Sequence, residues 1–152
     1  MKEITLLCVG KLKSPELEKI ESQYLKRIST FKLKIVEVKA QDDDCAAEAN
    51  DILKKIQLHS RSKNSCLILL TEAGKKFDSP KFSQFIFEKL ENFSEVFLVI
   101  NGAAGPGAEL KKRANVQISL SDLTFPHKLA RLILIEQLYR AETINSGHPY
   151  HK

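Results

Sequence analysis

Apolar residues in this chain fall into two alternating patterns. Continuous apolar runs of strand length occur at Ile4–Val9, Cys66–Leu70 and Val96–Ile100. Such runs mark strands covered on both faces. Two shorter segments, Leu33–Val38 and Val116–Leu120, also have strand character. Between them lie stretches with helical spacing. Ser14-Pro15-Glu16 supplies a capping hydroxyl, then a proline and an acid in a first turn. The helix it opens reaches about Ile28 and puts Leu17, Ile20, Tyr24 and Ile28 on one stripe. A second helix, from Cys45 to about Leu58, groups Ile52, Leu53 and Ile56. Asp78-Ser79-Pro80 starts a third, to about Leu90, with Phe82, Phe85 and Phe87 inward. Glu109–Ala114 is a short fourth helix. The fifth, from about Pro126 to Ile144, is apolar on nearly every side.

Strands alternating with helices predict right-handed crossovers. The fold class is therefore α/β, with a mainly parallel sheet of five or six strands and helices on both faces. A length of 152 residues suits a single domain over residues 1–152. No apolar run is long enough to span a bilayer, so no membrane partner is expected. The start, Met1-Lys2-Glu3-Ile4, reads as a first strand and not as a leader. Cys8, Cys45 and Cys66 are odd in number and widely spaced, two of them among aliphatic residues. Buried free thiols in a reducing, cytoplasmic setting are expected.

In a parallel sheet, ligands bind beyond the carboxyl ends of the strands. Three loops stand there: Leu70–Lys75, Asn101–Gly107 and Ser121–Pro126. Gly102, Gly105 and Gly107 allow positive φ and close approach, so exposed backbone groups could read a flat heterocycle. A glycine turn that merely redirects the chain is the equal alternative. Asn101–Gly105 lacks the position and the downstream acid of a dinucleotide fingerprint, and no phosphate-binding Gly-Lys-Ser/Thr is present. Asp42-Asp43-Asp44 reads as a solvated turn favouring the next helix start.

The net charge is +5, and the final third holds seven Lys/Arg against four Asp/Glu together with three of the four histidines. This permits nucleic-acid binding without requiring it. A fifth helix with so little polar face has two sides to bury, which predicts a homodimer with that helix near a two-fold axis. Glu136 and Arg140 stand four apart in the order that favours an intrahelical pair, and Arg131 lies four after His127. His127 in the first turn faces the positive helix end, which favours a neutral ring. His148 and His151 are too poorly supported for a metal site. A Tyr150 between histidines and Lys152 suits a tail that stacks on bases and touches phosphate.

Leu120-Ser121-x-Leu123-Thr124-Phe125-Pro126-His127 with Arg131, then Glu136-Gln137-x-Tyr139-Arg140-Ala141, then His148-Pro149-Tyr150-His151-Lys152, closely resembles the RlmH family. These are SPOUT-class methyltransferases. Val9-Gly10-Lys11-Leu12-Lys13 matches as well, so the resemblance spans the chain. It implies a C-terminal trefoil knot, S-adenosylmethionine as cofactor, and methylation of N3 of a pseudouridine in large-subunit ribosomal RNA; the small basic surface, separately, suits a base presented in an assembled subunit or ribosome. The resemblance further implies that Leu70, Gly102, Ser121, Asp122, Leu123, Thr124, Phe125 and Pro126 cradle the cofactor, and that two copies build each site together. Where the family reads Ile-Gly-Gly-x-x-Gly, often with an acid before the last glycine, this chain has Asn101 for the first glycine and Ala104 for the acid. His127, Tyr150 and His151 are the candidates to accept the N3 proton, and Arg140 the candidate to stabilise the resulting anion. A non-enzymatic ribosome-associated factor and a histidine-based RNA hydrolase are the rival classes.

Overall fold

The computed structural model describes residues 1–152. In chain order the elements are β1 (Glu3–Val9), α1 (Pro15–Arg27), β2 (Lys32–Val38), α2 (Cys45–His59), β3 (Ser65–Lys76), α3 (Ser79–Asn92), β4 (Glu95–Ile100), α4 (Ala108–Arg113), β5 (Val116–Ser119) and α5 (His127–Ser146). The five strands form one sheet in the order β2-β1-β4-β3-β5, and every pairing is parallel. β1 and β4 run side by side in unbroken register from Glu3↔Glu95 to Cys8↔Ile100.

Alternate residues of each central strand face opposite layers. Ile4, Leu6 and Cys8 join Cys66, Ile68, Val96, Leu98 and Ile100 under α3 and α5. Leu7, Val9, Leu67, Leu69, Phe97 and Val99 meet Ala49, Ile52 and Leu110 of α2 and α4 on the other face. This two-sided burial is why the strands read as continuous apolar runs. α5 packs along α1 and α3.

Local signals set the helix starts. Ser14, Asp44 and Asp78 each accept a backbone N–H three residues on. The acidic triplet therefore does what its sequence suggests: Asp42 and Asp43 turn the chain, and Asp44 caps α2. α5 ends at Gly147, whose φ of 72° lets the chain fold back.

Two features depart from the sequence expectation. On α1, Ile20 is exposed, and the position buried beside it is Glu21. The charge is drawn inward by an arginine of α5, described below. The second concerns the polar segment after Leu70. It is not wholly a loop, because β3 continues to Lys76 after a register break between Leu70 and Lys75. Gly74 makes this possible. A β-carbon there would sit 2.4 Å from the backbone of Ile118, so only glycine lets the two strands approach. Leu70–Ala73 remains as the part of this segment that borders the cavity at the sheet's carboxyl edge.

Candidate active site

Three chain segments meet beyond the carboxyl ends of β3, β4 and β5 and enclose a cavity of about 760 Å³. Leu70–Ala73 forms one wall, Ile100–Pro106 a second and Leu120–His127 a third. Leu70, Gly102, Ser121, Leu123, Thr124, Phe125 and Pro126 all line it, as does His127. Asp122 lies outside the lining, on an exposed side chain paired with Lys76. The walls are tied together by side chains: Thr124 Oγ1 donates to Glu72 Oε1 at 3.0 Å, and Asn101 Nδ2 donates to the Leu70 carbonyl at 3.2 Å.

The three glycines of the β4–α4 loop serve different ends. Only Gly105 uses a positive φ, of 79°. Gly102 is required for close approach, since a β-carbon there would stand 2.8 Å from Glu48 Oε1 and 3.2 Å from Val9 Cγ1. Gly107 likewise lies against the Cys45 carbonyl. Asn101 does not adopt a positive φ. It compensates for the missing glycine differently, by bonding across to β3.

Polar capacity is left free around this cavity. α4 and α5, the two helices that begin beside it, start at Gly107 and Pro126 without a side-chain cap. Their first turns lack the side-chain acceptor that caps α1, α2 and α3. Behind Gly102, the buried Glu48 accepts the Gln41 N–H with one oxygen at 3.0 Å, while the other has no partner. Glu72 is the sole carboxylate in the lining, and Lys111 its sole Lys or Arg. A nucleoside carrying a sulfonium and an amino acid fits such a site. Its volume is that of a small-molecule pocket, its walls present backbone donors and acceptors, and one carboxylate opposes a cationic centre.

A second cluster forms at the other end of α5. The tail after Gly147 folds back instead of fraying. Tyr150 lies edge-on to Tyr139 at 4.7 Å, and the Arg140 guanidinium stands 4.9 Å over the Tyr150 ring. Arg140 donates from Nε and Nη2 to Glu136 Oε1 at 3.0 and 2.7 Å, and its Nη1 lies 3.1 Å from His151 Nδ1. An arginine has only donors, so that His151 nitrogen is the acceptor. Tyr150 adds its hydroxyl to Glu136 Oε1 at 3.1 Å. The hydrogen bond to Glu136 raises the pKa of Arg140 and keeps it cationic. Burial, with hydrogen bonding to Tyr24 and Glu136, holds the Tyr150 phenol above its ordinary value. Of the four residues singled out for catalysis, Arg140, Tyr150 and His151 are thus together. His127 is not with them: thirteen residues of helix at ~1.5 Å each separate it from Arg140, about 20 Å.

A family profile described as "Predicted SPOUT methyltransferase" matches residues 1–151. The chain belongs to the SPOUT methyltransferases. Its relatives include the ribosomal RNA large subunit methyltransferase H of Streptococcus suis, 41% identical with 99% of each chain covered. The proteins of that name from Clostridium novyi and Oenococcus oeni are 40% and 39% identical, with 98–100% of this chain and 99–100% of theirs aligned. Within this SPOUT chain Cys8 and Cys66 are buried free thiols and Cys45 is partly exposed. Burial raises the Cys8 pKa to about 12 and also raises that of Cys66. No helix is long and apolar enough to cross a membrane.

What sequence reasoning missed is the pairing of α5 with α1 and β2 through Arg131. Arg131 is buried and bound to Glu21, with Nε to Oε2 at 2.8 Å and Nη2 to Oε1 at 2.9 Å. Its Nη1 donates to Glu37 Oε2 at 2.9 Å. An arginine in an otherwise apolar helix face was the available signal.

Proposed function

We propose that this protein transfers a methyl group from S-adenosylmethionine to N3 of a pseudouridine in large-subunit ribosomal RNA, in a site shared between two copies of the chain. The whole of residues 1–152 acts as one catalytic unit. The observation that carries the shared site is the separation within α5. The cofactor-sized cavity lies at the His127 end and the Arg140 cluster at the other, about 20 Å along the helix. Neither end is a complete methyltransferase site.

A two-fold axis across α5 would set two such helices antiparallel and bring the cavity of one copy to the tail of the other. The face of α5 left partly exposed by the rest of the chain favours this. It carries exposed Leu129 and half-buried Leu132 and Ile133, and exposed Leu123 lies just before the helix. The strand order, with the chain returning from edge strand β5 to lay α5 across α1 and α3, supports the threaded C-terminal path that the family resemblance implies.

Bound S-adenosylmethionine would supply an electrophilic methyl group to an in-line ring nitrogen, with the sulfur keeping the bonding pair and leaving as the thioether of S-adenosylhomocysteine. The residues that would hold the cofactor are Leu70, Gly102, Ser121 and Leu123–Pro126, with Glu72 opposing its positive charge. The chain must then orient the base and remove the N3 proton. Arg140 from the second copy stands against the anion that results. Tyr150 is a protonated phenol that donates to Glu136, so its part is to hold Arg140 in place. His151 already accepts from Arg140 at Nδ1. His127, the imidazole on the cavity wall, takes the proton in this proposal.

Titration calorimetry with S-adenosylmethionine, paired with methylation of large ribosomal subunits and nucleoside mass analysis, tests the reading. Saturable binding and a single added methyl on a pseudouridine are expected. No heat of binding and no transfer would reject it.

A further inference from the structure

The turn between β1 and α1 is fixed more firmly than its exposure requires. Gly10 there has φ of 90°, and Lys13 is held at φ of 46°. A left-handed lysine is an uncommon conformation that surrounding contacts must impose. The buried Arg131 network reaches the residue before it. Glu37 Oε2, which accepts from Arg131, also accepts the Leu12 backbone N–H at 3.0 Å. Burial acts to raise the Glu37 pKa, but hydrogen bonds from Arg131 and Leu12 and the charges of Arg131 and Lys11 bring it below its ordinary value. α1 through Glu21, β2 through Glu37 and α5 through Arg131 therefore converge on one turn. Leu12 is buried at its centre, while Lys11 and Lys13 on either side remain exposed.

This turn stands at the rim of the cavity. A β-carbon on Gly10 would meet His127 Nε2 at 3.5 Å. A small hollow joins Gly10, Lys11, His127, Lys128 and Arg131, and its His127 and Ile100 also border the large cavity. Lys11, Lys13 and Lys128 form no salt bridge.

We infer that the turn at residues 10–14, together with Lys128, is a preformed phosphate-binding edge that seats the RNA backbone beside the methyl-transfer cavity. This rests on the RNA-methylating reading above. Lysines are compact point charges suited to phosphate, and such contacts position a nucleic acid without reading its sequence. The buried network fixes the backbone they project from, so a seated phosphate has a set distance to His127. Two free cations on one rigid turn can neutralise neighbouring phosphates without the turn having to be ordered on binding.

The test compares K11Q/K13Q with K54Q/K63Q, which removes equal charge from exposed lysines of α2 and the α2–β3 connection. Binding and methylation of large ribosomal subunits are followed across a salt series, with S-adenosylmethionine affinity measured by calorimetry. K11Q/K13Q should lower kcat/KM for subunits by about 10- to 100-fold and flatten the log–log salt slope by about 2, roughly 1 for each phosphate no longer neutralised. Its cofactor affinity should stay within about twofold of the parent chain, and K54Q/K63Q should keep the parent slope. Equal losses and equal slopes in the two pairs, or full activity in K11Q/K13Q, would overturn the inference. A parent chain that fails to methylate subunits, yet loses subunit binding on K11Q/K13Q, would reject the enzymatic reading and keep only the phosphate contact of the turn.

Discussion

At the His127 end of α5 the cavity is walled by Gly102, Gly105, Ala103, Ala104 and apolar side chains such as Leu70 and Phe125, with two helix starts without side-chain caps beside it and a buried Glu48 oxygen without a partner behind Gly102. At the Arg140 end almost every polar atom is engaged. Glu136, Arg140, Tyr150 and His151 bind one another, with Tyr139 packed beneath. The first region is unsatisfied and shaped to receive something. The second is satisfied and shaped to be presented. A group whose hydrogen bonds are already made keeps its geometry when it meets a partner, and a concave site with open donors gains most from a ligand. In the proposed function this contrast assigns cofactor binding to the first region and catalysis to the second.

Substitutions at the two ends should therefore fail in different ways. Arg140→Ala should lower the methylation rate by about 100- to 1,000-fold, the loss typical of a donor to a developing anion. Cofactor affinity measured by calorimetry should stay near that of the parent chain. Gly102→Val places a branched side chain where Glu48 and Val9 already stand. It should weaken S-adenosylmethionine binding at least about 10-fold, a lost interaction of more than ~1.4 kcal/mol. The Arg140 cluster should be untouched. If Arg140→Ala instead abolishes cofactor binding, the division of labour is wrong.

Tyr150→Phe sharpens the picture at the tail. It keeps the ring under Arg140 but removes the hydroxyl bonded to Glu136. Loss of one such bond is worth about 0.5–1.5 kcal/mol, so the methylation rate should fall about 3- to 10-fold. A fall as deep as that of Arg140→Ala would make Tyr150 a participant in the chemistry.

The smallest effect concerns acid. Glu37 has a lowered folded pKa, so its contribution to stability is present above the unfolded carboxyl pKa of about 4.3 and is lost as pH falls through the lower folded value. Glu37→Gln should be less stable than the parent chain at neutral pH. Its melting temperature should then drop less between about pH 5 and pH 3. An unchanged acid profile would remove Glu37 from the account of how the β1–α1 turn is held.

Much of this molecule can be read from local pattern. Ile4–Val9 and Val96–Ile100 are strands because both faces are covered. The three loops at the carboxyl edge follow from parallel strand order, and the cavity forms among them. Pairings between distant residues were beyond local pattern. Glu21 and Arg131 are 110 positions apart, and Arg131 and Glu37 are 94 apart. On α1, helical spacing favours Ile20 as core because it counts an apolar residue and cannot see the guanidinium that makes Glu21 the better-buried neighbour. Nor does glycine spacing distinguish Gly105, which bends the chain, from Gly102 and Gly74, which give room to a neighbour.

The shared site is tested most directly by mixing two inactive chains, Gly102→Val and Arg140→Ala, and letting subunits exchange. In a mixed dimer, the sound cavity of one chain faces the sound tail of the other, while the second site combines both defects. With half the dimers mixed and one site working in each, activity should return to about a quarter of the parent level. Mixed dimers that form, as shown by differential tagging, yet stay inactive would contradict the shared site.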